Sequence, residues 1–320
     1  MRSHKLLLSA GLTAIALAAV ACGGGSKTSA TSSPSASAGK AKGAIIVTSA
    51  NFAENEIIAN MYADVLEKAG YQVTRKLKLG SREVYLKALG AGEVDLVPDY
   101  VGTLTQVLNA DVNGKDANTA KPLASGDLQQ TLTNLKPLLD AKNLVALKPS
   151  EAADQNSYAV TKATADKSGL SKLSDLSKVN NQLVFGGPPE CQTRPQCIQG
   201  LQRVYGVTFK SFKTLDAGGP LTINALTGGD IQIGLVFSSD GAVAAKNLVV
   251  LKDDKGLTPV DNVLAVIRKD KLTPDLQKLI EAVDAKLTTA DLSDLNKKVG
   301  VDKADPAEVA KTYLKDKGLL

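Results

Sequence analysis

Residues 79–103 read LGSREVYLKALGAGEVDLVPDYVGT, and residues 221–241 read LTINALTGGDIQIGLVFSSDG. Aligning ALGAGEVDL (88–96) with ALTGGDIQI (225–233) superposes an Ala-Leu pair, a glycine in fifth place, an acidic residue and alternating apolar positions. Each stretch reads as a helix stopped by glycine, which tolerates the left-handed conformation that ends helices, followed by a short strand. The same offset places Tyr100 on Phe237, each an aromatic just past its strand. Two such units in one chain suggest two α/β lobes made of related pieces. The phrase also serves as a generic helix–turn–strand connection, so at this point both readings stand.

The flanking sequence extends the pattern. IIVT (45–48) reads as a strand, and the run after it places Ile57, Ile58, Met61, Tyr62, Val65, Leu66 and Ala69 on one helical face. A strand over 71–77 follows, then a helix over 82–89 capped by Ser81 with Glu83 in its first turn. VDLV (94–97) returns to strand, helices follow near 103–110 and 124–139, and LVAL (144–147) is a further strand. A second series starts at Asp154–Tyr158: SYAV, a short helix over LSDLSKV, LVFG, a helix near 197–204, FKSFKTL, a helix over 221–227 and IQIGLVF. DNVLAVIR then reads as a strand returning to the first lobe, and two helices, TPDLQKLIEAVDAKL and PAEVAKTYLKDKG, finish the chain. Strands alternating with helices imply an α/β fold with parallel or mixed sheets covered on both faces. The expected division is lobe 1 over 44–152, lobe 2 over 153–251 and a return to lobe 1 over 252–320, joined by two crossovers. Ligands of open α/β sheets lie beyond the carboxyl ends of the strands. Facing lobes would therefore set Tyr100 and Phe237 on either side of one cleft.

The first 43 residues have other work. Arg2, His4 and Lys5 precede an apolar run from Leu6 to Ala21 that ends in AVAC, with Cys22 after small and aliphatic residues. This resembles a bacterial lipoprotein signal (1–21) whose cysteine takes a lipid and becomes the mature N-terminus, holding the protein on the extracytoplasmic face of the cell membrane. An ordinary secretion signal and an uncleaved helix are the other readings, although 16 apolar residues are short for a membrane span. Residues 22–43, rich in Ser, Gly, Ala and Thr, read as a flexible tether.

Composition narrows the function. The one histidine is His4, inside the signal, so the usual general base of a hydrolytic triad and histidine metal sites are excluded from the mature chain. Removing Arg2 and Lys5 from the 38 basic residues leaves 36 against 33 acidic, with no arginine-rich stripe, so nucleic-acid binding has little support. Asp99, Asp216 and Asp240 have no spacing that suggests glycosidase carboxylates, and the chain reads as a binding protein, not an enzyme, with no cofactor and no metal. Cys191 and Cys197 in PECQTRPQCIQG lie six apart, and the oxidising compartment implied by the signal favours a disulfide between them.

The stretch VTSANFAENEIIANMYADVLEKAGYQVTRKLKLGSREVYLKALGAGEVDLVPDYVGT, followed in order by NSYAVT, LVFGGPPE, LDAGGPLTINAL, GLVFSSDG and LVVLKDDKGLTPVDNVLAVIRK, resembles the substrate-binding proteins of ABC importers for glycine betaine, choline, carnitine and proline betaine. The resemblance covers essentially all of 44–320. It implies a type II periplasmic-binding-protein fold, a monomer that holds a small solute in the interlobe cleft, and delivery to an ABC permease with a cytoplasmic ATPase. A trimethylammonium group cannot donate hydrogen bonds, so aromatic faces are its natural partner. On the family pattern Tyr100 and Tyr158 are cage walls, with Phe237 an auxiliary one. Leu221 and Asp261 or Asn262 stand where the family often places two further tyrosines. Asn51 and Asn55 in the first strand-to-helix turn, and Ser238, Ser239 and Asp240 after the Phe237 strand, are candidate polar contacts, as is Asp261. Arg82 is a candidate partner for a carboxylate. Tyr71, Tyr85 and Tyr205 read as structural. The reduced cage leaves two alternatives: the same fold binding a different small polar or aromatic solute, or a sensory or adhesive lipoprotein that does not transport.

Overall fold

The structure, a computed structural model, describes residues 42–320. The signal, Cys22 and the tether up to residue 41 lie outside the described residues. Ten strands form two five-stranded sheets: β1 (Ala44–Ala50), β2 (Gln72–Gly80), β3 (Leu96–Tyr100), β4 (Leu144–Ala146), β5 (Asn156–Thr161), β6 (Val184–Gly187), β7 (Ser211–Thr214), β8 (Ile233–Phe237), β9 (Leu248–Val250) and β10 (Val263–Arg268). The first sheet has the order β2-β1-β3-β10-β4 and the second β7-β6-β8-β5-β9. Three neighbouring strands in each run parallel, and the fourth, β10 or β5, crosses antiparallel to the central one. This is the two-lobed type II periplasmic-binding-protein architecture.

The duplicated phrase of the sequence falls on the same place in both sheets. Its two strands are β3 and β8, each central and each five residues long, and its fifth-place glycines, Gly92 and Gly229, cap the preceding helices with φ of 74° and 83°. A side chain there would meet the steric penalty of the left-handed region.

Burial follows the periodicities. Helix α1 (Ala53–Lys68) turns Ile57, Ile58, Met61, Tyr62, Val65 and Leu66 onto one face of the first sheet, where the C-terminal helix Pro306–Asp316 adds Val309, Ala310 and Leu314. The opposite face packs Tyr85 and Leu89 of α2 (Arg82–Ala91) with Leu104 and Leu108 of α3 (Val101–Asn113). The second sheet is likewise covered on both sides, by Phe185, Leu201 and the Cys191–Cys197 pair on one and by Ile223, Leu226 and Ile231 on the other.

Several details differ from the sequence reading, which has no helix at Lys162–Ser168 or Gly241–Ala245 and no strand at β9. LSDLSKV (Leu173–Val179) is a 3-10 helix. A third helix, Thr289–Gly300, stands between the two expected near the C-terminus and opens with a reciprocal cap in which Thr288 and Asp291 satisfy each other's backbone.

The chain passes between the lobes twice, and the two crossovers run side by side. Ala153 bridges Asn262 in antiparallel fashion, and the Asp154 amide donates to the Asp261 carbonyl at 3.0 Å. No helix among the described residues is long and apolar enough to cross a membrane.

Candidate functional site

The carboxyl ends of β1, β2, β3, β6, β7 and β8 converge on one cleft, lined from the first lobe by Phe52, Arg82 and Tyr100 and from the second by Arg194 and Phe237, with Asp154 and Asp261 on the two crossovers. Its cavity measures about 60 Å³, room for a few water molecules.

One wall is aromatic. The rings of Tyr100 and Phe52 stack at 6.1 Å between centroids, and those of Phe52 and Phe237 at 5.4 Å. The three form a continuous ladder from one lobe to the other. Gly218 makes the Phe237 end possible: a Cβ there would come within 2.9 Å of the ring. The Tyr100 hydroxyl donates to Glu54 Oε1 at 2.7 Å, which fixes the ring. Burial and the neighbouring Glu54 charge push that hydroxyl well above the usual tyrosine range, so Tyr100 stays neutral.

Charged groups line the rest. Arg82 on α2 is held by Asp99, its Nε at 2.9 Å and Nη2 at 2.7 Å from Oδ1, while the Tyr85 hydroxyl donates to Asp99 Oδ2 at 2.7 Å. Arg82 Nη1 makes no hydrogen bond among the described residues. Arg194, carried by the loop that the Cys191–Cys197 disulfide closes, reaches across to Glu83 at 3.0 and 3.1 Å. Burial opposes the Glu83 charge, but Arg194 and the Ser81 hydroxyl outweigh it and hold the carboxyl down at about 2. Asp261 accepts the amides of Gly102 and Thr103, at 2.8 and 3.0 Å, at the start of α3; burial pushes its carboxyl up to about 7 against the pull of Arg82.

The residues singled out in the sequence separate into groups. Asn51, Tyr100, Phe237 and Asp261 line the cleft. Asn55 is buried behind it, accepting from the Ala50 amide at 2.7 Å and donating to the Pro98 carbonyl at 2.9 Å, so it ties the β1–α1 turn to β3. Tyr158 is 1% exposed in the core of the second lobe, its ring 6.0 Å from that of Phe185 and its hydroxyl donating to the Gln196 carbonyl. The structure does not bring it to the cleft surface. Ser239 is buried between Glu54 and Asp154, Ser238 Oγ accepts from the Gln155 amide, and Asp240 caps the Gly241–Ala245 turn by accepting from Ala242. Leu221 is 61% exposed at the start of its helix, and Asn262 donates to the Ser150 carbonyl at 3.0 Å, so neither lines the cleft. Asp216 accepts the Leu221 and Thr222 amides and is a helix cap.

Sequence reasoning missed Phe52, Asp154, Arg194 and Asn296. Phe52 obeys the rule that found Tyr100 and Phe237, since it lies two residues past the end of β1. Arg194 could have been found as the cation inside the cysteine loop. Asn296 depended on the missed helix, whose signal was the Thr288–Asp291 cap.

The sequence pattern of the substrate binding domain of ABC-type glycine betaine transport systems matches residues 43–316. The chain belongs to this family. Among its relatives is the glycine betaine-binding protein YehZ of Escherichia coli (strain K12), 30% identical over 277 residues, which span 83% of this chain and 88% of the relative. Helicobacter pylori (strain G27) has an ergothioneine transport permease/ergothioneine binding protein, EgtU, 28% identical over 86% of this chain and 48% of its own length. A crystal structure of a glycine betaine/carnitine/choline ABC transporter protein superposes with a TM-score of 0.64 at 26% identity, covering 86% of this chain and 99% of the other. As a member of the family the chain is the extracytoplasmic solute-binding component of an ABC importer and has no catalytic role.

Proposed function

We propose that the solute is a zwitterionic quaternary-ammonium compound of the glycine betaine class. Its ammonium lies against the ladder of Tyr100, Phe52 and Phe237, with Asp154 and Asp261 as the nearest carboxylates. Its carboxylate turns toward Arg82 Nη1 and Arg194. The observation that supports this reading is the pairing, within one cleft, of three stacked rings with two arginines. A quaternary ammonium gains from ring faces in a desolvated site, and guanidinium is suited to carboxylate. The relatives' names point to the same solute class. Calorimetry against glycine betaine, carnitine, proline betaine, choline, ergothioneine, ectoine, sugars and polyols tests it. Betaines with a carboxylate should bind more tightly than choline. Binding of a neutral solute alone would overturn the assignment.

The reading includes a lipid on Cys22, the polar tether as a leash, and a monomer that visits the permease from the extracytoplasmic membrane surface. Intact-mass measurement of protein made in its host should give the diacylglycerol addition. Cys22→Ser should release the protein from the membrane fraction, and an unlipidated N-terminus elsewhere would refute the anchor.

A further inference from the structure

Behind the aromatic ladder, four polar side chains meet where the lobes touch. Glu54 opens α1 in the first lobe, Asp154 sits on the first crossover, Ser239 follows β8 in the second lobe, and Asn296 comes from the helix Thr289–Gly300. Ser239 Oγ lies 2.6 Å from Glu54 Oε2 and 2.7 Å from Asp154 Oδ1. A serine hydroxyl has one proton and can donate to only one of them. The other short contact is a hydrogen bond only if that carboxyl brings a proton of its own. Asn296 Nδ2 cannot supply the difference, because it donates to Glu54 Oε2 at 2.5 Å and approaches Ser239 Oγ at 3.1 Å; the Ser239 carbonyl at 3.2 Å fixes it as the donor end of the amide.

We propose that closing the two lobes traps one proton in the Glu54–Asp154 pair, so that the closed protein carries a proton the open protein has released. The proposal needs only lobes that open and close, and no particular solute.

The surroundings favour it. Glu54 faces the Tyr100 hydroxyl from β3, Ser239 from the second lobe, Asn296 from its helix and the Asp154 carboxyl. Asp261 adds negative charge beside Asp154, and Asp240 lies near Glu54. Arg82 is committed to Asp99 and faces Asp261, and Lys297, next to Asn296, pairs with Asp302 at 3.9 Å. No cation among the described residues touches either carboxylate. Burial raises both carboxyls, and the Glu54 charge raises Asp154 further.

Parting the lobes takes Ser239 away from Glu54 and admits water, so both acids return toward the ordinary carboxylate range near 4. The closed-state value lies above the open-state one. Closure is therefore fully favoured at acid pH and weakens as pH rises through the closed-state value.

Small-angle scattering of the solute-free full chain between pH 5 and 9 reads the lobes directly. The open-to-closed ratio should rise by up to about tenfold per pH unit within that window. Asp154→Asn, a neutral isostere whose Oδ1 still accepts the Ser239 amide, should stay closed at pH 9. Glu54→Gln should also lose the slope, and serves if the first variant fails to fold. Calorimetry with glycine betaine in buffers of different ionisation enthalpy should find up to one proton taken up per solute in the parent and none in Asp154→Asn. Scattering that is invariant with pH in the parent, or a slope unchanged in both variants, overturns the proposal. If glycine betaine does not bind, the solute reading fails and scattering alone decides the proton.

Discussion

Phe52 and Tyr158 are two aromatics with opposite consequences. Phe52 is the middle rung of the ladder, so Phe52→Ala removes the packing that holds the Tyr100 and Phe237 rings in place for a desolvated ammonium, to which a ring face is worth roughly 2 kcal/mol. Titration calorimetry with glycine betaine should register a loss of about 30-fold. Tyr158→Phe removes only the hydrogen bond to the Gln196 carbonyl within the second lobe. It should lower unfolding stability by about 1 kcal/mol in denaturant titration while leaving affinity within about twofold. A large affinity loss there would tie the Tyr158 hydroxyl to the solute. A second residue-scale prediction concerns Asp284, whose Oδ1 accepts the Tyr62 hydroxyl at 2.6 Å deep in the first lobe and whose carboxyl burial pushes up to about 8. Between the unfolded value near 4 and that folded value, the fold holds a proton the unfolded chain has lost, so stability falls as pH rises through the window. Melting temperatures taken from pH 5 to 9 should decline, and Asp284→Asn should flatten the decline; an equal slope in both would refute it. Tyr100 and Phe237 were legible in the sequence because each closes a strand of recognisable pattern. The ring between them follows the same rule more loosely: Phe52 lies two residues past the end of β1, in a turn outside the repeated phrase, so no alignment singled it out.

At the scale of elements, the cysteine loop does the most with the fewest residues. The 3-10 turn Pro189–Gln192 and the disulfide, with Cα atoms 5.2 Å apart, hold Arg194 over the cleft toward Glu83. Replacing both cysteines by serine should cost about 2 kcal/mol by loop-closure entropy, read from denaturant midpoints. It should also weaken solute binding by freeing Arg194, whereas a stability loss with unchanged affinity would show that the loop positions nothing. The alternation of strands and helices was readable because burial imposes periods of two and 3.6. The order of strands within each sheet was not, since pairing is decided by contacts far apart in the chain. The helix Thr289–Gly300 escaped for a physical reason: only Leu292 and Leu295 of its residues are fully buried hydrophobics, so most of its surface is polar and its apolar period is short.

For the whole molecule, contacts that hold the closure include Glu83 with Arg194 at the rim, Phe52 stacked on Phe237, the helix Gly241–Ala245 against Thr289–Gly300, and Ser239 with Glu54 and Asn296 behind the rings. The rim pair is part-exposed and so contributes at most about 1 kcal/mol. Glu83→Gln should therefore speed solute release by no more than about fivefold in stopped-flow, with a salt dependence weaker than the parent's. A much larger effect would mean that Glu83 touches the solute. The two-lobed plan itself was visible in the repeated phrase, whereas the meeting of Glu54, Asp154, Ser239 and Asn296 joins residues up to 242 positions apart and had no local signature. The paired crossovers carry a consequence of a different kind. The second sheet is one uninterrupted segment of chain, and it leaves the first lobe at Ala153 and rejoins it at Asn262, two residues that face each other in an antiparallel bridge. An insert whose two ends are neighbours can be exchanged as a cassette. Chimeras spliced at these two points would keep one lobe's half of the cleft, its Tyr100 and Arg82, and import another binder's half in place of Phe237 and Arg194. Solute preference could then be recombined without rethreading the host lobe.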